Sequence, residues 1–231
     1  MVSRRKLLKT GGALCAVAAL AGCGGPDSSI ELHVKVTALA VADGVPREGS
    51  SVLLVHVAHT PNSLSRMQMR MSLKGEATIL DMGRGRVAYF LLKDYLPDLV
   101  TGYRIWEPGK EAWSAETIPG LRAASGEIEI KRDRYPKIAA FRDERDPATV
   151  YEVEPGNFAA AFGPGVAFRS LTLELVDAPM TEAIEKKLPW LGTWAGPFAP
   201  WPAETRTIAV RDATFGQLLR RRNFINDGNG S

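Results

Sequence analysis

Three histidines are the first candidates in this sequence for a metal site or a general base. They are His33, His56 and His59, and the chain has no others. A zinc site needs several imidazole, thiolate or carboxylate ligands that converge on one point. His56 and His59 are three positions apart, so in a strand they point to opposite faces unless the chain bends near Ala58. We therefore expect no metal site and no cofactor.

Nucleophilic catalysis lacks its usual sequence signature. Ser50 and Ser51 do not lie in a G-x-S-x-G turn, and no histidine combines convincingly with a serine and an acid. The segment 142–147 contains three carboxylates, those of Asp143, Glu144 and Asp146. Their spacing is not that of a calcium-binding loop, and the neighbouring arginines oppose a cation. We interpret this segment as a solvated turn, assign no catalytic residue and favour a role other than that of an enzyme.

Methionines recur at every second position of the segment 66–73. Met67, Met69 and Met71 share one side with Leu73 if the segment is a strand. Thioethers bind copper when their sulfur atoms converge, whereas methionines at strand spacing usually fill a core. The pattern therefore predicts a strand with an apolar face rather than a copper site.

Cys23 is the residue for which the neighbouring sequence predicts a specific modification. The tetrad Leu20-Ala21-Gly22-Cys23 resembles the bacterial lipobox and follows a basic segment and the short apolar stretch 13–21. This stretch has about half of the roughly 20 residues that span a bilayer. The resemblance implies that residues 1–22 are a cleaved signal peptide and that the Cys23 thiol carries a diacylglyceryl group. The alternative is an ordinary cleavage site beside an incidental cysteine.

The paired arginines Arg4 and Arg5 indicate a route of export. The segment 3–9 resembles the twin-arginine consensus, with Leu7 where phenylalanine is commoner. This resemblance implies export after folding, and the alternative is a general secretory signal. We expect a lipid-anchored protein of the bacterial cell envelope that faces the periplasm. Gly24 favours the outer membrane, because aspartate at this position retains some lipoproteins at the inner membrane.

The charge of the chain does not favour nucleic acid as a partner. The 231 residues have a formal charge of +3 at pH 7. Residues 1–22 contain four of the 29 basic side chains and none of the 26 acidic ones, so the positive excess belongs to the signal. Binding to phosphate backbones needs a clustered basic surface. Cys15 lies in the predicted signal, and the thiol of Cys23 is expected to carry the lipid. The folded domain is therefore expected to have no thiol for a disulfide.

Alternating apolar and polar residues predict strands in most of the domain. After a flexible tether over 23–29, we expect a single mainly β domain over 30–222, a sandwich-like or distorted barrel with two or three short helices. Strands are predicted over 30–38, 50–57, 66–73, 76–82, 86–92, 126–131, 135–141 and 166–176, and helices over 157–162, 181–188 and 216–222. Glycine and proline indicate an irregular insert with weak strands over 93–126. Residues 223–231 are expected to form a frayed tail.

The segment 189–202 concentrates aromatic residues between prolines. It holds three of the five tryptophans, Trp190, Trp194 and Trp201, and its prolines argue against a helix or a central strand. An exposed aromatic surface of this kind can bind an envelope protein or a glycan. The alternative, which we favour, is a loop that packs over an open end of the sheet. We expect Trp190 to be mostly buried and Trp201 to be the most exposed of the three.

Four short blocks resemble a family of uncharacterised exported proteins of proteobacteria. They are GSSV (49–52), GEA (75–77), FGPGV (162–166) and IEKKLPWL (184–191), and the similarity covers residues 30–92 and 135–191. Members of this family are often described as hypothetical lipoproteins. The resemblance implies a shared exported domain and supplies no catalytic residue. We therefore expect a binding or assembly module, with an envelope hydrolase that uses carboxylates as the alternative.

Overall fold

The computed structural model describes residues 29–59, 69–106, 117–201 and 212–228. Within these ranges the chain forms two antiparallel sheets, one of six strands and one of four, with five short α-helices. Neither sheet closes into a barrel there. The prediction of a mainly β, sandwich-like domain is confirmed, although the helices outnumber the two or three expected. No helix in the described ranges is long and apolar enough to cross a bilayer.

The elements are numbered in chain order. The strands are β1 (Ser29–Ala42), β2 (Val45–His59), β3 (Met69–Glu76), β4 (Thr78–Asp81), β5 (Val87–Phe90), β6 (Glu127–Glu129), β7 (Ile138–Phe141), β8 (Val150–Val153), β9 (Val166–Leu175) and β10 (Ile225–Asn226). The helices are α1 (Leu96–Gly102), α2 (Thr117–Ala123), α3 (Phe158–Phe162), α4 (Ile184–Lys187) and α5 (Phe215–Leu218). The strand order is β10-β3-β2-β1-β9-β6 in the larger sheet and β4-β5-β7-β8 in the smaller.

The long hairpin of β1 and β2 forms the centre of the six-stranded sheet. Alternate residues of β1, among them Val34 and Val36, have no exposed surface. This period of two is the pattern that predicted the strand. Asp43 and Gly44 make the turn, and both have a positive φ, 53° and 77°. A two-residue hairpin turn whose twist matches that of its strands requires such values.

The four-stranded sheet is covered on both faces. One face, which includes Phe90 and Ile138, packs against the six-stranded sheet. The other face, which includes Tyr89 and Phe141, packs against the C-terminal segment, whose buried side chains at this face lie in 184–198 and 219–224. As a result, β5 and β7 are buried at every position. Burial on both faces explains why their sequences are continuous apolar runs.

In the described parts of the segment 93–126 the structure has two helices and no strand, where weak strands were predicted. They contain α1 and α2, and both helices bury apolar side chains in the core between the sheets. Pro97 occupies the first turn of α1, where its missing N–H has no helical partner to lose. A Cβ on Gly102 would come within 2.4 Å of the Ile128 side chain. Pro97 therefore marks the start of a helix, and Gly102 allows a close packing contact, whereas the sequence had indicated a loop.

The C-terminal tail is paired as far as Asn226, which corrects the expectation that it frays from residue 223. Phe224 is fully buried, and its carbonyl accepts a 2.7 Å hydrogen bond from the Ala77 N–H. Ile225, the first residue of β10, then pairs with Glu76 of β3. β10 and β8 were not predicted, because two residues are too few to show a period and the four residues of β8 do not alternate cleanly.

The predicted helices near the C-terminus exist but are short. α4 and α5 have four residues each, while α3 lies within the predicted helix 157–162. The aromatic segment begins with a 3₁₀ helix over Pro189–Thr193. Its prolines did not prevent this helix, because Pro189 stands at the first position, where a helix tolerates proline.

Candidate functional site

A cleft of about 690 Å³ opens beside the end of β3. Three separate parts of the chain line it: residues 75–76 of β3, the segment 180–192 with α4, and the segment 221–227 with β10. Its lining includes four carboxylates and two cations, those of Glu76, Glu182, Glu185, Asp227, Lys186 and Arg221. A concave site with convergent polar groups is the usual form of a ligand site, and we therefore treat this cleft as the candidate functional site.

Glu76 is a buried carboxylate that holds the start of α4 against β3. Only 3% of its surface is exposed. The Ala183 N–H donates to Oε1 at 2.9 Å and to Oε2 at 2.8 Å, and the Ile184 N–H donates to Oε2 at 2.8 Å. The first N–H groups of a helix have no partner within the helix. Glu76 supplies that partner and fixes one wall of the cleft.

Arg221 joins the other two parts of the chain that line the cleft. Its Nη2 donates to Glu185 Oε1 at 3.1 Å, and its Nη1 donates to Asp227 Oδ2 at 3.0 Å. Burial acts to lower the pKa of Arg221, but the hydrogen bonds and charges of Asp227 and Glu185 outweigh it and raise this pKa above its ordinary value. The guanidinium therefore stays charged and links the end of the chain to α4.

Glu182 and Lys186 are the charged groups of the cleft that remain available to a ligand. Both side chains are exposed and line the cleft. Neither forms an ion pair with another residue in the described part of the chain. The other three carboxylates of the cleft are bound to backbone N–H groups or to Arg221. The cleft thus combines a fixed wall with one free negative and one free positive side chain.

Trp190 packs over the outer face of the four-stranded sheet. It is partly buried, and its Nε1 donates a 2.6 Å hydrogen bond to the carbonyl of Glu144. Its ring lies edge-on to Phe141, with 5.8 Å between the ring centres, and also contacts Phe198 at 5.2 Å. These contacts are those of a side chain that covers a core.

The other two tryptophans of the predicted surface differ in exposure. Trp194 is partly buried, whereas Trp201 is 38% exposed and is the most exposed of the three. Leu218 is 43% exposed. The segment that carries it lies beside the aromatic segment, because the adjacent Gln217 donates a 3.0 Å hydrogen bond from Nε2 to the Pro200 carbonyl. The three tryptophans therefore do not form one uniform exposed surface.

The carboxylates of the turn 142–147 have nearby partners. Asp143 pairs with Arg145 at 3.0 Å, and the hydrogen bond from this arginine lowers the pKa of Asp143. Asp146 caps the 3₁₀ helix that follows it. Glu144 instead faces the four-stranded sheet and accepts a hydrogen bond from a buried tyrosine. These bonds stabilise the turn and connect it to the sheet.

The serines and histidines singled out in the sequence do not line the cleft. Ser51 is buried and shares a 2.7 Å hydrogen bond with the hydroxyl of Thr78, while Ser50 is exposed. His33 Nδ1 is hydrogen-bonded to the Ala178 carbonyl. Among the described residues, no three His, Cys, Asp or Glu side chains are grouped closely enough to hold a metal ion.

Several predicted residues fall outside the described ranges. Cys23, Arg4 and Arg5 are among them, so lipid attachment and the route of export stay predictions. Met67 also lies outside, while Met71 packs against the core between the sheets. The methionine pattern thus predicted a real strand: β3 runs from Met69, the first described residue of this range, to Glu76.

No protein-family model, no curated protein and no solved structure matches this chain. The family resemblance of the four sequence blocks therefore stays an expectation. Function has to be argued from the chemistry of the site.

The cleft could not be predicted from the sequence, because its walls come from distant parts of the chain. Glu76 and Ala183, which are hydrogen-bonded, are 107 positions apart. A single glutamate at the start of the predicted strand 76–82 gives no signal of its own. The basic run 220–222 was visible, but the sequence did not indicate that Arg221 faces two carboxylates.

Proposed function

We propose that this protein is a lipid-anchored module of the bacterial cell envelope that binds a partner through the cleft and does not catalyse a reaction. The partner is an envelope protein or a glycan. The observation that carries this proposal is that three of the four cleft carboxylates already accept hydrogen bonds from other parts of the chain. Glu76 accepts three backbone hydrogen bonds, and Glu185 and Asp227 both bind Arg221.

Such a wall favours recognition over catalysis. General acid–base catalysis needs a group that exchanges its proton within hydrogen-bond reach of the substrate. A carboxylate whose oxygens already accept bonds from backbone or guanidinium groups is held in one position and has little capacity left to bond to a substrate. A fixed wall also lowers the entropy lost when a ligand binds.

The free side chains of the cleft supply selectivity. Glu182, which lies just before α4, and Lys186, which lies within it, carry opposite charges. Complementary charges on a partner raise the rate of association and discriminate against other partners. We infer that the partner presents at least one charged group of each sign, or hydroxyl groups that bond to both side chains.

The N-terminal sequence supports the membrane anchor. The basic segment with Arg4 and Arg5, the short apolar stretch and the tetrad ending at Cys23 occur in the order that a lipoprotein signal requires. A diacylglyceryl group with an added N-acyl chain would hold the protein at a membrane far more firmly than one acyl chain does.

Affinity capture from solubilised envelope membranes tests the binding proposal. We expect Glu182→Arg to reduce the recovered partner by about tenfold, because reversing a charge at a binding surface costs well over 1 kcal/mol. Glu127→Arg is the matched control, since Glu127 is an exposed glutamate of β6 away from the cleft. Equal recovery with both variants would contradict the proposal, and a ligand recovered in hydrolysed form would favour the hydrolase alternative.

A further inference from the structure

A second, smaller pocket lies between Trp194 and the basic run near the C-terminus. Its volume is about 260 Å³, and it is lined by Trp194, Gly196, Arg220, Arg221 and Arg222. It shares only Arg221 with the cleft. Three guanidinium groups and no carboxylate line it, so its lining is more basic than that of the cleft.

Two hydrogen-bond donors that belong to lining residues of this pocket lack an acceptor. They are Trp194 Nε1 and Arg221 Nε, and both are shielded from solvent. An unpaired buried donor costs about 1–3 kcal/mol, so native structures rarely keep two together without a reason such as a bound ion or water. Both groups can only donate, which means that the missing partner is an acceptor.

The charges around the pocket favour an anion as that acceptor. Glu185 and Asp227 each accept one hydrogen bond from an Nη atom of Arg221, while its Nε–H has no acceptor. Arg222 is exposed and forms no ion pair with any residue in the described part of the chain. Its charge is therefore available to a ligand at the mouth of the pocket.

We propose that this pocket binds an oxyanion of the phosphate class. A tetrahedral oxyanion offers several acceptor oxygens to donors that approach from different side chains, and arginine is the residue best suited to bind it. The unpaired Trp194 Nε1 and Arg221 Nε belong to two different side chains that line the pocket, as donors to such an anion should. This inference goes beyond the proposed function, since neither lipid attachment nor the free charges of the cleft enter it.

Isothermal titration calorimetry of the purified full chain with inorganic phosphate tests the proposal. Sodium chloride at matched ionic strength is the reference titration. We expect saturable phosphate binding that Arg222→Gln weakens about tenfold, the loss typical of one charged hydrogen bond. Arg169→Gln is the matched control, because Arg169 is an exposed arginine on β9 that does not line the pocket.

A second variant separates hydrogen bonding from charge. Trp194→Phe keeps an aromatic ring but removes the N–H, and we expect it to weaken phosphate binding about fivefold with an unchanged far-UV circular dichroism spectrum. Phosphate heats no larger than those of chloride, or equal losses in Arg222→Gln and Arg169→Gln, would overturn the proposal. Acetate that binds as tightly as phosphate would overturn the assignment to the phosphate class.

Two phosphate compounds distinguish the natural source of the group. Inorganic phosphate represents a free anion or a phosphomonoester, and glycerophosphoglycerol represents the headgroup of an anionic lipid as a soluble phosphodiester. Tighter binding of the first assigns the pocket to a free phosphate compound. Tighter binding of the second assigns it to a lipid headgroup, and both outcomes support an oxyanion site.

Discussion

Tyr89 donates a 2.6 Å hydrogen bond from its buried side chain to Oε1 of Glu144. The second oxygen of this carboxylate pairs with Lys187 at 3.1 Å, and the carbonyl of the same residue accepts the bond from Trp190. One residue of the charged turn thus binds β5, α4 and the 3₁₀ helix that begins the aromatic segment. This contact holds the C-terminal segment, and with it one wall of the cleft, against the four-stranded sheet.

Alkaline unfolding should depend on Tyr89. Burial, followed by the hydrogen bond and charge of Glu144, raises the pKa of Tyr89 well above its usual value. In the unfolded chain a tyrosine ionises near pH 10, about its usual pKa. Above that pH the unfolded state binds fewer protons than the folded state, so stability falls as the pH rises.

The variant Tyr89→Phe tests this dependence. In both proteins the free energy of unfolding should fall as the pH rises above about 10. We expect this fall to be about 1.4 kcal/mol per pH unit smaller in the variant than in the parent, because one tyrosine no longer titrates. Burial also raises the pKa of Tyr95, so part of the decline should remain. Urea unfolding at a series of pH values measures both slopes, and identical slopes would refute the role assigned to Tyr89.

Glu76→Gln should destabilise the wall of the cleft. The amide keeps one acceptor oxygen but turns an NH₂ group toward the N–H groups of Ala183 and Ile184, which leaves a buried donor unpaired. We expect a loss of about 2 kcal/mol in the free energy of unfolding and faster amide hydrogen exchange at both residues. Glu129→Gln, at an exposed position of β6, is the control and should change neither quantity.

The two ends of the aromatic segment should respond differently to truncation. Trp190→Ala removes a ring that packs on Phe141 and Phe198, and we expect it to cost about 3 kcal/mol of folding stability. Trp201→Ala should change stability by less than about 0.5 kcal/mol, because the side chain is exposed. Thermal unfolding of both variants measures the difference, and similar losses would show that Trp201 is also part of the packing.

The elements that were predictable from sequence are those with strong local patterns. β1 alternates over many residues, and β2 contains a run rich in β-branched residues. The glycines of 83–85 fix the β4–β5 turn, with φ values of 78° and 74° at Gly83 and Gly85. Strands with period-two burial or a glycine-forced turn need no information from elsewhere in the chain.

The remaining features depend on tertiary contacts. Pro97 and Gly102 suggested a loop, yet packing against the core stabilises α1 around them. Phe224 belongs to a polar-looking tail, and its burial depends on Tyr89 and Phe141 from strands far away in the sequence. The cleft has the same origin, since Arg221 meets its carboxylate partners only once α4 and β10 are in place.

Removal of the Cys23 thiol tests the membrane anchor. We expect Cys23→Ser to move the protein from the membrane fraction to the soluble fraction, or to stop processing of the signal, because a hydroxyl does not form the thioether. Incorporation of radiolabelled palmitate measures lipid attachment directly. Equal labelling of the variant and the parent would exclude Cys23 as the attachment site.

Site-specific photo-cross-linking in intact cells tests most directly whether the cleft binds a partner. A benzophenone amino acid replaces Glu182 in one strain and Glu127 in another, and the adducts are compared after irradiation. The binding account predicts one discrete adduct from position 182 and none of the same mass from position 127. The same adduct from both positions, or no adduct from position 182, would contradict it.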